Sequence, residues 1–156
     1  IAPSLKGYIP AGGADYPGCP ELALKIIEQA MADEFDVAAM SAMPRPEAPH
    51  AWGFVYRRLM RDKPCPSVMV TVNTFFPPNQ PSVRRCYKFG QSILEAIREW
   101  DSDKRVALIA SGGLTHFVID ETVDKTFLNA LESKDFDPVF DMNEATFRDD
   151  TSEMKN

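Results

Sequence analysis

The sequence contains two histidines, and both stand beside breaks in the chain. His50 follows Pro44-Arg45-Pro46-Glu47-Ala48-Pro49, and His116 follows Ser111-Gly112-Gly113-Leu114-Thr115. An imidazole titrates near neutrality, so each is a candidate for proton transfer or metal ligation. Two readings of His50 stand side by side: a working group, or a histidine satisfied by local hydrogen bonds or solvent. At His116 the working reading is the stronger, because Gly112-Gly113 permits a positive φ or the close approach of a ligand to the backbone. The same Ser-Gly-Gly block invites comparison with a phosphate cradle, but it has neither a P-loop lysine nor G-x-G-x-x-G spacing, which argues against a nucleotide.

The remaining candidates have plainer readings. Glu153 follows Thr151 and Ser152, which can open a helix as caps; on composition alone it is a solvated glutamate favoured by the helix dipole. Cys86, beside Tyr87 on an apolar helix face, reads as core rather than nucleophile. Arg84-Arg85 would hold an anionic substrate group or simply face water. Trp52 and Phe54 wall a pocket next to His50 or pack the core.

These residues need elements to hold them. The first 20 residues are dense in proline and glycine and read as loop. Apolar Leu22, Leu24, Ile26, Ile27, Ala30 and Met31 predict a helix from Pro20 to about Glu34, with Pro20 suited to its first turn. A short amphipathic helix is expected over Ala51 to Arg61, and the longest helical pattern runs from Pro81 to about Trp100. Three apolar runs, 35–40, 67–73 and 105–111, read as buried strands. Beyond Leu131 the chain turns acidic and irregular. Helices alternating with apolar strands predict an α/β fold of three layers: a mostly parallel or mixed central sheet covered by helices, in one domain. Such sheets bind ligands beyond the carboxyl ends of their strands, which singles out the loops after Met40, Asn73 and Ser111.

Composition narrows the partners. The chain has 156 residues, 44% hydrophobic and 26% charged, with a net charge of -6. It can build a core and carries no basic field for nucleic acid or an anionic membrane. No run reaches the roughly 18–20 apolar residues of a membrane span, and the start does not resemble a signal peptide, so a cytoplasmic location is expected. Cys19, Cys65 and Cys86 are an odd number without metal-ligand spacing, which favours free thiols. The chain opens on Ile1 rather than Met and stops at Asn156, from which a fragment is expected.

Taken together, several stretches carry a resemblance. They are Pro49-His50-Ala51-Trp52-Gly53, Val72-Asn73-Thr74-Phe75-Phe76-Pro77-Pro78, Arg84-Arg85-Cys86-Tyr87-Lys88-Phe89-Gly90, Ala110-Ser111-Gly112-Gly113-Leu114-Thr115-His116 and Thr151-Ser152-Glu153. In this order and spacing, over about residues 45–156, the sequence resembles the class III extradiol ring-cleaving dioxygenases, the family containing the catalytic β subunit of protocatechuate 4,5-dioxygenase. The resemblance implies Fe(II) held by two histidines and one glutamate, a facial arrangement with open positions. It implies that His116 is the acid–base histidine, that His50 contacts substrate and that Glu153 is an iron ligand. Asn73 is a further candidate substrate contact.

The family's two iron-binding histidines precede anything in this sequence. Residues 1–156 would then be part of one extradiol dioxygenase catalytic domain whose N-terminal portion is absent, and the piece alone would be inactive. His50, His116 and Glu153 could be assembled into an iron site of their own, but the resemblance places both histidines with substrate and proton transfer instead. The implied partners are a catecholic substrate such as protocatechuate, O2, and a small α subunit or a second copy of the chain. Two other readings remain at this stage: a non-redox binding or scaffold member of the same superfamily, and a metal-dependent hydrolase.

Overall fold

The computed structural model describes residues 17–40, 49–61, 63, 65–115, 118–148 and 153–156. The proline- and glycine-rich stretch up to Tyr16, the breakers Pro44 and Pro46, His116, and the caps Thr151 and Ser152 lie outside the described residues. The helices, in chain order, are α1 (Pro20–Ala32), α2 (His50–Phe54) continued by a π-helical turn (Val55–Leu59), α3 (Val83–Arg98), α4 (Glu121–Ser133) and α5 (Asp137–Phe140). A 3₁₀ turn follows at Glu144–Phe147. The chain divides into two compact units, Ile1–Val70 with Ser92–Ser111, and Thr71–Gln91 with Gly112–Asn156.

In the first unit, α1 buries Leu22, Ile26 and Ala30, a stripe repeating every four residues. Pro20 occupies its first turn, where a missing N–H costs nothing. The helix ends where Glu34 takes a left-handed φ of 65° and the Phe35 N–H closes on the Ala30 carbonyl at 2.8 Å. Lys25 Nζ reaches Glu99 Oε2 at 3.0 Å, an exposed pair of small worth. Cys19, Tyr56, Ser92, Ile93 and Ala96 are also buried in this unit.

The expected α/β sandwich is not what the chain forms. Among the described residues no sheet exists; the one pairing is an isolated parallel bridge between Gly18 and Ser67. Its bonds run from the Cys19 N–H to the Ser67 carbonyl (3.3 Å) and from the Ser67 N–H to the Pro17 carbonyl (2.9 Å). The runs 35–40, 67–73 and 105–111 are irregular, and Met40, Val70, Val106, Leu108 and Ile109 are exposed rather than covered on both faces. An apolar, β-branched run specifies a strand only when a neighbour supplies the ladder of hydrogen bonds, and composition carries no information about that neighbour.

The second unit has a continuous core of Val83 from α3, Val123 and Ala130 from α4, Val139 from α5, and Phe147 and Met154 from the C-terminal turns. Leu114, Phe127, Phe136, Phe140 and Met142 pack against it. α4 begins at a well-formed cap: Asp120 Oδ1 accepts the Thr122 and Val123 N–H groups at 3.0 and 3.1 Å. At the start of α3, Glu144 Oε1 accepts the Val83 N–H at 2.8 Å while Glu144 Oε2 pairs with Lys155 Nζ at 3.3 Å. Lys155 Nζ also donates to the Pro81 carbonyl at 2.8 Å.

Cys86 lies one turn into α3, close to this pair. Burial pushes its thiol pKa up; Lys155 and Arg85 pull it down and Glu144 adds to the rise, with burial the largest influence. The thiolate fraction of Cys86 at pH 8 is therefore below that of an ordinary cysteine, whereas Cys65 is exposed. Alkylation with iodoacetamide at pH 8, followed by peptide mass mapping, is expected to label Cys65 first and Cys86 roughly tenfold or more slowly. The gap should narrow as the pH is raised through 9 and above.

Candidate active site

His50 is the first residue of α2 and is exposed. The turn forms because the Pro49 carbonyl accepts the Trp52 and Gly53 N–H groups at 3.1 and 2.8 Å, which fixes the backbone on both sides of the imidazole. In the same unit the Ser111 hydroxyl donates to the Ala51 carbonyl at 3.0 Å. Two of the sequence blocks, Pro-His-Ala-Trp-Gly and the serine of Ser-Gly-Gly, are thus joined by a direct bond.

In the second unit, the glycine pair meets the C-terminal turn. A methyl group on Gly112 would overlap the carbonyl oxygen of Glu153, so at this position the glycine serves close backbone approach. Gly113 is less constrained: a Cβ there would stand 3.6 Å from Glu153 Oε2, an ordinary contact. The carboxylate of Glu153 is half-buried beside the glycine pair and makes no hydrogen bond or ion pair to another described residue. The turn that carries it closes with the Asn156 N–H on the Glu153 carbonyl at 3.1 Å.

Asn73 is placed differently from the other candidates. Its Nδ2 donates to the Phe76 carbonyl and to Asn79 Oδ1, both at 2.7 Å, and its Oδ1 accepts the Phe76 N–H at 3.0 Å. Both amide protons are therefore used inside its own loop. Gln80 Nε2 braces the same loop by donating to the Thr74 and Phe75 carbonyls at 3.0 and 2.6 Å. The result presents Phe75 and Phe76 as an exposed edge-to-face pair with ring centres 5.2 Å apart. Residues Thr71–Phe76 line an open concavity of about 440 Å³. Arg84, read from the sequence as a possible anion holder, lies with its guanidinium 4.3 Å from the centre of the Phe140 ring.

His116 lies outside the described residues, but Thr115 before it is buried and held. Its N–H donates to Asp124 Oδ1 (3.0 Å), its hydroxyl to Asp124 Oδ2 (2.9 Å), and its Oγ1 accepts the Asp120 N–H (3.0 Å). Sequence reasoning missed Asp120, Asp124, Gln80, Glu144 and Lys155. Asp120 was legible as an N-cap before Val123. The nine-residue separation of Thr115 and Asp124 belongs to no periodic pattern.

Among the described residues no three His, Cys, Asp or Glu side chains stand together as a metal site. These residues therefore do not fit an iron centre on their own; beside the glycine pair they offer a single carboxylate, Glu153. No helix among them is long and apolar enough to cross a membrane.

Comparison with known proteins assigns the class. Residues 4–155 match the family described as the catalytic LigB subunit of aromatic ring-opening dioxygenase, and the chain belongs to that family. Among individual relatives, it is 33% identical over 107 residues to gallate dioxygenase of Pseudomonas putida (strain KT2440), an alignment covering 67% of this chain and 30% of that protein. The chain thus spans under a third of the length of this relative. No solved structure matches it significantly.

The glycine pair gives a direct test of the local geometry. Gly112→Ala forces the Glu153 backbone to move and is expected to lower stability by about 1–3 kcal/mol, the ordinary range for overpacking. Gly113→Ala, with room for its methyl, is expected to cost less than about 1 kcal/mol by the same reasoning. Urea unfolding midpoints of the two variants check the difference.

Proposed function

We propose that the whole protein is an Fe(II)-dependent extradiol dioxygenase that opens the ring of a catecholic aromatic acid, such as protocatechuate, with O2. The observation that carries this reading is the match to the ring-opening catalytic family over residues 4–155, which includes every residue assigned a role here. Gallate, named for the Pseudomonas relative, is also an aromatic acid with adjacent hydroxyls.

In this reading His116 takes a proton from the incoming catechol and returns it during ring opening, the task of a group titrating near neutrality. His50, exposed at the head of α2, hydrogen-bonds the substrate. Glu153 supplies one carboxylate to the iron, and two histidines from outside this sequence complete the ligand set, as the resemblance implies. Asn73 serves the substrate through the loop it braces, with Phe75 and Phe76 as aromatic walls. A cytoplasmic location, and assembly with a small α subunit or a second copy, belong to the same proposal.

The test is anaerobic Fe(II) loading of the full-length protein, then oxygen uptake with a panel of catechols and optical detection of the yellow ring-opened product. Uptake by a catecholic acid is expected; none with any catechol, despite bound iron, overturns the proposal. His116→Ala is expected to retain stoichiometric iron while turnover drops by roughly 10²–10⁴-fold, the usual contribution of general acid–base catalysis. Loss of iron in that variant would instead make His116 a ligand.

A further inference from the structure

We infer that Arg58, Arg61 and Lys63, in and just after the π-helical turn, draw the carboxylate of an aromatic acid substrate towards His50; this rests on the reading of the protein as a dioxygenase of catecholic acids. Residues 57–63 hold four cations, Arg57, Arg58, Arg61 and Lys63, and one aspartate, in a chain whose net charge is -6. All four cations are exposed. Elsewhere several cations are committed: Lys25, Arg98, Lys125 and Lys155 pair with carboxylates, and Arg84 and Lys104 lie over the rings of Phe140 and Trp100. Arg58, Arg61 and Lys63 make no ion pair to another described residue.

The backbone groups these charges with apolar surface. At Val55 helix α2 passes into the π turn, which closes with the Met60 N–H on the Val55 carbonyl, five residues back, at 3.0 Å. A turn of that width places Arg58 and Leu59 one turn on from Phe54. Phe54 and Leu59 are 49% and 63% exposed, while Gly53 and Tyr56 are buried and anchor the element. Arg61 then takes a left-handed φ of 52°, and the Lys63 N–H donates to the Met60 carbonyl at 3.0 Å, which keeps Lys63 beside the end of the turn. An aromatic acid matches both features: its ring meets the apolar side chains and its carboxylate a guanidinium. His50 heads the same element, about 12 Å from Arg58 along the helix axis. Over that distance an exposed charge acts in dilute salt and is screened at physiological ionic strength, where the Debye length is about 8 Å. The cluster therefore raises the local concentration of anions near His50 without touching the reacting atoms.

The experiment measures ring opening by the full-length, iron-loaded protein with protocatechuate or gallate, whichever turns over faster, and with the uncharged methyl ester of that acid, followed as substrate or as competitive inhibitor. It compares the parent with Arg58→Glu/Lys63→Glu and with Lys125→Glu/Lys134→Glu, which changes the net charge equally on α4 and at its end. In about 10 mM salt the first variant is expected to lose roughly tenfold in kcat/KM for the acid, what Coulomb attraction across about 12 Å of water gives for four charges. The loss falls in KM, with kcat within about twofold of the parent, and shrinks to under about twofold in 0.2 M salt. The ester constants and the α4 variant stay within about twofold of the parent throughout. Unchanged kcat/KM for the acid, an equal loss for acid and ester, an equal loss in the α4 variant, or a loss that salt does not remove each overturns the inference. If the parent cleaves no catechol at all, the functional reading itself fails.

Discussion

A buried ammonium cannot be left without partners, and in the second unit that requirement falls on Lys155, whose side chain is 3% exposed. Its Nζ is satisfied by the Glu144 carboxylate and the Pro81 carbonyl, and Glu144 uses its other oxygen to accept the first N–H of α3. One charge pair thereby ties the C-terminal turn, the 3₁₀ turn and the start of the longest helix. Removing either partner would leave the other charge poorly compensated, which is far more damaging than the loss of an exposed pair. Phe147, fully buried, and Met154 pack in the core around this tie, so the position of Glu153 is set by its immediate neighbours on the chain.

The acidic character of the C-terminal part has a structural use. Asp120 caps α4, Asp124 clamps Thr115, Asn143 and Glu144 organise the last turns, and Glu144 receives an N–H of α3. Carboxylates are well suited to the unsatisfied N–H groups and positive dipole ends of helices, and two of these residues, Asp120 and Glu144, act there. Part of what composition presents as a net charge of -6 is thus committed to holding the backbone in place.

The legible parts of the fold are those whose evidence is local. α1 and α3 follow from apolar spacing and flanking prolines, and α1 occupies nearly the expected range. α4 was equally readable, since Val123, Phe127 and Ala130 recur at helical spacing behind an aspartate cap, but the acidity of the region beyond it obscured the pattern. The three apolar runs misled because a strand is a relation between segments. Val106, Leu108 and Ile109 have the side chains of a covered strand, while their exposure depends on what lies beside them. Of the candidate residues, His50, Glu153 and the glycine pair were visible by type. Asp124 was not, because its pairing with Thr115 arises only when a helix cap returns to the preceding loop.

Hydrogen-bond saturation separates side chains that hold the backbone from side chains left uncommitted. Asn73 has spent both amide protons on its loop, Gln80 does the same from the other side, and every polar group of the Thr115 side chain is engaged. Among the described residues, the Glu153 carboxylate and the His50 imidazole have no such bonds, although the backbone around each is fixed by its own turn or cap. A ligand or a proton donor must keep lone pairs or protons free until its partner arrives, and must be held in place meanwhile. Fixing the backbone while leaving the side chain uncommitted meets both conditions. Pro49 and the glycine pair shape the main chain beside these two side chains without competing for their hydrogen bonds.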